Sequence, residues 1–208
     1  MASPHLSLWL VRHATPRVAP GTCYGRLEVQ ADPDHTRLTA HQLHAAWQSH
    51  KAAPETTLVW HSPARRCADL ATACAQAGLP ASEPKADLLE MDFGQWEGLA
   101  WDAIERTEID AWTQHFLTHR PGGGESVDAL LHRTQRALTL GLQTAQAQGI
   151  QTPIWLTHAG VIRAVECLIS RSPQALNTLQ AKDWPMTPCA FGSWQIHTLP
   201  PVLCTQTR

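Results

Sequence analysis

Leu6-Ser7-Leu8-Trp9-Leu10-Val11-Arg12-His13 decides the fold class. Residues 6–11 are apolar at all positions but one, and a strand with that pattern is covered on both faces, as in a parallel sheet between two layers of helices. Residues 57–60 (TLVW) and 154–157 (IWLT) repeat the pattern. Helical signals separate the three runs. Ser62-Pro63 predicts a helix start, a cap followed by proline at the first helical position, and Gly78 predicts its end. Ser126 caps a long helix in which Val127, Leu130, Leu131, Thr134, Leu138 and Leu142 trace one face. Gly160 opens another helix carrying Val161, Ile162, Val165, Leu168 and Ile169.

Residues 14–37 are rich in proline, glycine and polar side chains and read as one long loop, and a loop of that length inside a domain is usually functional. A helix is expected to begin near Thr39, which forms a capping box with Gln42 and places Leu43, Ala46, Trp47 and His50 on one face. Residues 83–86 predict a short strand. Residues 88–98 read as irregular, residues 101–106 and 109–119 as short helices, and residues 190–197 as a last strand, antiparallel or at an edge. Strands alternating with helices predict an α/β fold with a mostly parallel central sheet and helices on both faces. We expect one domain over residues 1–208 with a helical lid excursion over about residues 99–125.

The 16 Lys and Arg against 18 Asp and Glu exclude a protein that coats nucleic acid by charge and an acidic disordered tail. The longest apolar run near the start, residues 8–11, is far short of the ~20 residues of a membrane span, and no basic segment precedes it, so neither membrane nor export signal is expected. The six cysteines (Cys23, Cys67, Cys74, Cys167, Cys189, Cys204) form no CxxC pair and read mostly as buried thiols in the cytoplasm. Among the 12 histidines, His41/His44 and His115/His119 have spacings that can clamp zinc, but neither pair has a third ligand nearby in sequence, and both read as solvated helix faces.

Ligands of open α/β sheets bind beyond the carboxyl ends of the strands. The residues there are Arg12 and His13 after the first run, His61 to Arg66 after the second, and His158, Ala159 and Gly160 after the third. Two histidines and at least one arginine converging on one edge point to a small anion, most simply phosphate. Gly160 at a helix start adds backbone N–H groups that can approach it.

Five stretches then carry a resemblance. Leu10-Val11-Arg12-His13-Ala14-Thr15, His61-Ser62-Pro63-Ala64-Arg65-Arg66-Cys67, residues 88–98 (LLEMDFGQWEG), Gly123-Gly124-Glu125-Ser126 and Thr157-His158-Ala159-Gly160-Val161-Ile162-Arg163 resemble, in order, the signatures of the histidine phosphatase (phosphoglycerate-mutase-like) superfamily. Arg12-His13-Ala14-Thr15-Pro16 followed by Gly21-Thr22-Cys23-Tyr24-Gly25 is most similar to its α-ribazole-5′-phosphate phosphatase branch. Ala14 departs from the usual glycine, and Ala64 and Cys67 depart from the usual leucine and alanine. The resemblance implies a phosphoglycerate-mutase-like fold and hydrolysis of a phosphate monoester through a phosphohistidine. His13 would be the nucleophile. Arg12, Arg66 and a protonated His158 would surround the phosphoryl oxygens, with Ala159, Tyr24 and Gly25 beside the substrate. Glu90 would be the proton donor, with Glu97 as its rival. Trp96 and Trp101 read as packing residues rather than a stacking platform. No metal and no cofactor are expected, and the partner is a small-molecule phosphate ester, not nucleic acid or membrane; the oligomeric state stays open. The alternatives are a broad-specificity phosphatase, a phosphoglycerate mutase, an inactive phosphate-binding module and, more weakly, a zinc hydrolase.

Overall fold

The computed structural model describes residues 6–199; Cys204 lies outside them. Strands β1 (Leu6–Arg12), β2 (Thr57–His61), β3 (Ser82–Pro84), β4 (Thr152–Thr157) and β5 (Trp194–Leu199) form one sheet in the order β3-β2-β4-β1-β5. β3, β2, β4 and β1 are parallel, while β5 runs antiparallel along β1 at the edge. The apolar runs are the central strands, and every residue of β4 is buried.

Alternation divides the core. Trp9, Val11, Val59, Ile154 and Leu156 face helices α1 (Pro33–Ser49) and α2 (Arg65–Ala77), where they meet Leu43, Trp47, Leu70 and Cys74. Leu8, Leu10, Trp60 and Trp155 face α4 (Val127–Gln148) and α5 (Ala159–Ser170), against Leu130, Leu131, Val161 and Val165. In the chain, α3 (Arg106–Gln114) precedes α4, and α6 (Pro173–Asn177) follows α5. The indoles of Trp60 and Trp155 stack at 6.1 Å, and Gly141 of α4 rests on them, where a Cβ would come within 3.3 Å of the Trp60 ring. Much of the tryptophan content is thus core filling.

Two predicted helix starts are displaced. α1 begins at Pro33, six residues before Thr39, because Asp32 caps it by accepting from the His35 N–H at 2.9 Å and Pro33 occupies the first turn. Thr39 is buried mid-helix with an unpartnered hydroxyl, so the loop after His13 is shorter than expected. α2 begins at Arg65 with Ala64 as its cap. The Ser62 hydroxyl accepts from the Ala64 N–H at 3.3 Å and also bonds His158, so it serves the strand end more than the helix. Gly78 and Gly149 end α2 and α4 in the left-handed region, and Ser126 caps α4. The two short helices expected in residues 101–119 are a 3-10 turn at Trp101–Ala103 and α3. Among the described residues no helix is long and apolar enough to cross a membrane.

Candidate active site

The parallel strands bring their carboxyl ends to one edge. The His13 N–H donates to the Thr157 carbonyl at 3.1 Å, and the Ser62 N–H to the Leu156 carbonyl at 2.9 Å, so the first residues beyond β1, β2 and β4 stay in register. His13 and His158, 145 positions apart in the chain, therefore stand with ring centroids 5.2 Å apart. Both are buried, as is Arg66 from the first turn of α2.

The tautomer of His13 is fixed by its own chain. Its Nδ1 lies 2.7 Å from the Ala14 carbonyl oxygen, which can only accept, so Nδ1 carries the proton and Nε2 keeps its lone pair. Burial, then the Arg66 and Arg12 cations, lower the ring's pKa to about 3 against the backbone bond to Ala14, which raises it. The ring is neutral across the physiological range. Phe191 lies beside it at 5.6 Å between centroids and also carries the Arg12 guanidinium 3.7 Å from its ring centre. Arg12 Nε is buried without a partner.

His158 is a neutral imidazole rather than the imidazolium that the resemblance implied. Its Nδ1 accepts from Arg66 Nε at 3.3 Å, and guanidinium nitrogens only donate. The proton therefore sits on Nε2, directed at Ser62 Oγ at 2.8 Å. Burial, followed by the Arg66 cation, holds the ring's pKa well below its usual value. Arg66 itself donates from Nη1 to the Leu27 carbonyl at 3.0 Å and from Nη2 to the Gly25 carbonyl at 2.6 Å. Three of its five N–H groups are engaged, which leaves two for an anion.

A cavity of about 330 Å³ opens beside Arg12, with His13, Arg66 and His158 outside its lining. Arg12, Tyr24, Glu90, Ala159 and Gly160 line it on one side, and Phe93, Trp101, Trp112, Phe116 and Trp184 supply its rings. Glu90 is held at its edge, Oε1 accepting from the Met91 N–H at 2.9 Å and Oε2 from the Gly160 N–H at 3.1 Å. Gly160 thus serves Glu90: a Cβ there would overlap the carboxylate, and its N–H is not spare for an anion. Glu97 is a brace, its Oε1 accepting from the Arg26 N–H at 2.7 Å and the Phe93 N–H at 3.0 Å. Tyr24 lines the cavity, its hydroxyl pKa raised by burial. Gly25 does not line it; packed on Glu97 and Met91, it contributes the carbonyl that holds Arg66. Trp96 is buried, with Nε1 donating to Glu108 at 2.8 Å, whereas Trp101 is 38% exposed and reaches the cavity.

Sequence reading missed Ser62, Arg133 and Phe191. Ser62 and Glu125 sit inside quoted motifs, and Glu125 Oε1 accepts from Arg133 Nε at 2.7 Å, but no sequence signal tied Glu125 to Arg133. Nothing local marked Phe191. Among the described residues no group of three His, Cys, Asp or Glu is arranged to hold a metal, and five cysteines are buried free thiols. Burial raises the Cys67 thiol to about 12.

Comparison with known proteins gives the family. A family model described as histidine phosphatase superfamily (branch 1) matches residues 8–191. A metal-independent phosphoserine phosphatase of Arabidopsis thaliana is 29% identical over 177 residues, covering 83% of this chain and 72% of that protein. An acid phosphatase of Mycobacterium tuberculosis is 34% identical over 104 residues, half of this chain and 47% of that protein. The crystal structure of an α-ribazole phosphatase from Shigella flexneri superposes with a TM-score of 0.67 at 22% identity, covering 92% of this chain and 89% of that one; at that identity it shows a shared fold.

Proposed function

This chain belongs to the histidine phosphatase superfamily (branch 1) and is a phosphatase of the histidine type, and from that membership we propose that His13 is its nucleophile and a phosphohistidine its intermediate. One observation carries the proposal: a neutral histidine, its Nδ1–H fixed on Ala14, with Arg12 and Arg66 both close enough to lower its pKa. A nucleophilic imidazole needs a free lone pair on one nitrogen and a fixed proton on the other. Nε2 attacks phosphorus. Arg12 and the two free N–H groups of Arg66 take the charge on the phosphoryl oxygens, since phosphoryl transfer depends on positioning and charge. His158 orients Arg66 and Ser62. Glu90 protonates the departing alkoxide, then takes the proton of the water that cleaves the P–N bond. Acid-quenched enzyme should carry phosphate on His13, and His13→Ala should abolish turnover while keeping the fold. An Ala variant that kept more than a few per cent of wild-type kcat would overturn the assignment.

The rings of the cavity support the finer reading, a leaving group with an aromatic body, and α-ribazole 5′-phosphate is the ester we name. Rings of this kind gain from apolar burial that a three-carbon ester cannot supply; one well-filled contact adds about 1–3 kcal/mol. α-Ribazole 5′-phosphate should therefore exceed 3-phosphoglycerate by at least about tenfold in kcat/KM. Equal values would remove it, as would mutase activity with 2,3-bisphosphoglycerate. A small carboxylated ester such as phosphoserine is the second reading, favoured by Arg163, which lines the same cavity with its Nε buried and unpartnered. Phosphoserine in the same panel tests it. The remaining readings follow the site: a small-molecule partner rather than nucleic acid or membrane, and a reducing, cytoplasmic setting that suits five buried thiols.

A further inference from the structure

Glu90 lies outside any helix or strand, so its loop must be held from elsewhere. Arg133, projecting from α4 and only 5% exposed, directs its guanidinium at that loop and at Glu125. Nη1 donates to the carbonyls of Asp87 at 2.8 Å and Leu89 at 2.6 Å, and Nη2 to the carbonyl of Glu90 itself at 3.1 Å. Glu125 grips the other side of the fork, its two oxygens 2.7 and 2.9 Å from Nε and Nη2. Arg26 adds a 3.3 Å bond to the Glu90 carbonyl and stands 3.5 Å from Glu125. The Glu125 N–H closes the far end of the loop on the Asp92 carbonyl at 2.7 Å. A bidentate fork of this kind is rigid as well as strong, and breaking one partner leaves a buried charge uncompensated.

We infer that Arg133, fixed by Glu125, is a positioning residue for proton transfer at Glu90. The inference rests on Glu90 being the proton donor. Two N–H groups hold the Glu90 carboxylate, that of Met91 from the loop and that of Gly160 from the start of α5, and Arg133 holds three of the loop's carbonyls, those of Asp87, Leu89 and Glu90. A general acid works only within about 2.6–3.2 Å of the leaving oxygen, and a shift of about 1 Å costs up to about 10²-fold. Loss of Arg133 should therefore act as a partial loss of Glu90, felt where the leaving group needs a proton.

The test compares kcat on glycerol phosphate, whose alkoxide needs an acid, with kcat on p-nitrophenyl phosphate, whose leaving group does not. Wild type, Glu90→Gln, Arg133→Met, Arg133→Lys and Glu125→Gln are assayed, with melting temperatures for each. Glu90→Gln and Arg133→Met should both fall at least about tenfold further on glycerol phosphate than on the nitrophenyl ester, and Arg133→Lys should recover part of the difference. Equal losses on the two esters in the Arg133 variants, beside a selective loss in Glu90→Gln, would overturn the inference and leave Arg133 a structural residue. A Glu90→Gln variant without selectivity would remove the proton-donor reading and this inference with it. If Arg133→Met does not fold, Arg133→Lys, which keeps the charge but not the fork on the three carbonyls, carries the same comparison with a smaller difference.

Discussion

At the scale of single residues, the site is governed by how burial treats histidine. His13 and His158 are ordinary imidazoles in sequence, yet both are buried beside cations, and both lose their affinity for protons. The sign of the consequence follows. Below pH about 6.5 the unfolded chain takes up these protons and the folded one does not until about 3 for His13, so stability is complete above 6.5 and falls as pH drops between the two. Each such histidine contributes at most about 1.4 kcal/mol per pH unit. Urea midpoints measured from pH 7 to pH 4 should fall in wild type and fall less steeply in His13→Ala. Identical slopes would show that His13 is not buried neutral. Activity at low pH should likewise show no loss near 6.5 from protonation of the nucleophile.

Elements place these residues, and two of them depend on backbone devices that can be tested. α1 begins where Asp32 caps it, so Asp32→Ala should lower the melting temperature by about 2–4 °C, while Thr39→Ala, away from the helix end, should not act as a cap mutation. The second device joins the Glu90 loop to the turn before α4. Gly94, Gly122 and Gly124 meet backbone to backbone: a Cβ on Gly124 would overlap the Asp92 carbonyl, and one on Gly122 the Phe93 carbonyl. Gly122 and Gly94 also have φ of 58° and 54°, which side chains disfavour. Gly124→Ala should destabilise by about 1–3 kcal/mol, as overpacking does, read from denaturant melts. A neutral result would mean that the turn and the loop are not in close contact.

Across the whole molecule, the proposed mechanism takes from Arg12 and Arg66, delivered by β1 and α2 to one sheet edge, the charge that a metal supplies in other phosphatases. Activity should therefore survive dialysis against EDTA. A loss restored by zinc or magnesium would overturn the arginine cradle. The aromatic cavity is also a property of the whole chain. Its rings come from the Glu90 loop (Phe93), the stretch before α4 (Trp101, Trp112, Phe116) and the segment after α6 (Trp184), which no local pattern joins.

The sequence by itself determined the three buried strands, their parallel direction and the residues that end them, because doubly apolar runs and strand-end motifs are local signals. It marked Arg12, His13 and His158 at the strand ends, whereas Arg66 was separated from Arg65, and Glu90 was found, only through the resemblance to the superfamily's motifs. It misplaced the start of α1, where a distant-looking Asp-Pro outweighed a capping box, since Thr39 is drawn into the interior beside Gly192. Protonation of His158, the bracing role of Glu97, the service of Gly160 to Glu90, and the grip of Arg133 were decided only by tertiary structure. Each depends on which polar groups are shut away from water together, and most of those pairings join residues 43 to 96 positions apart, beyond any local pattern.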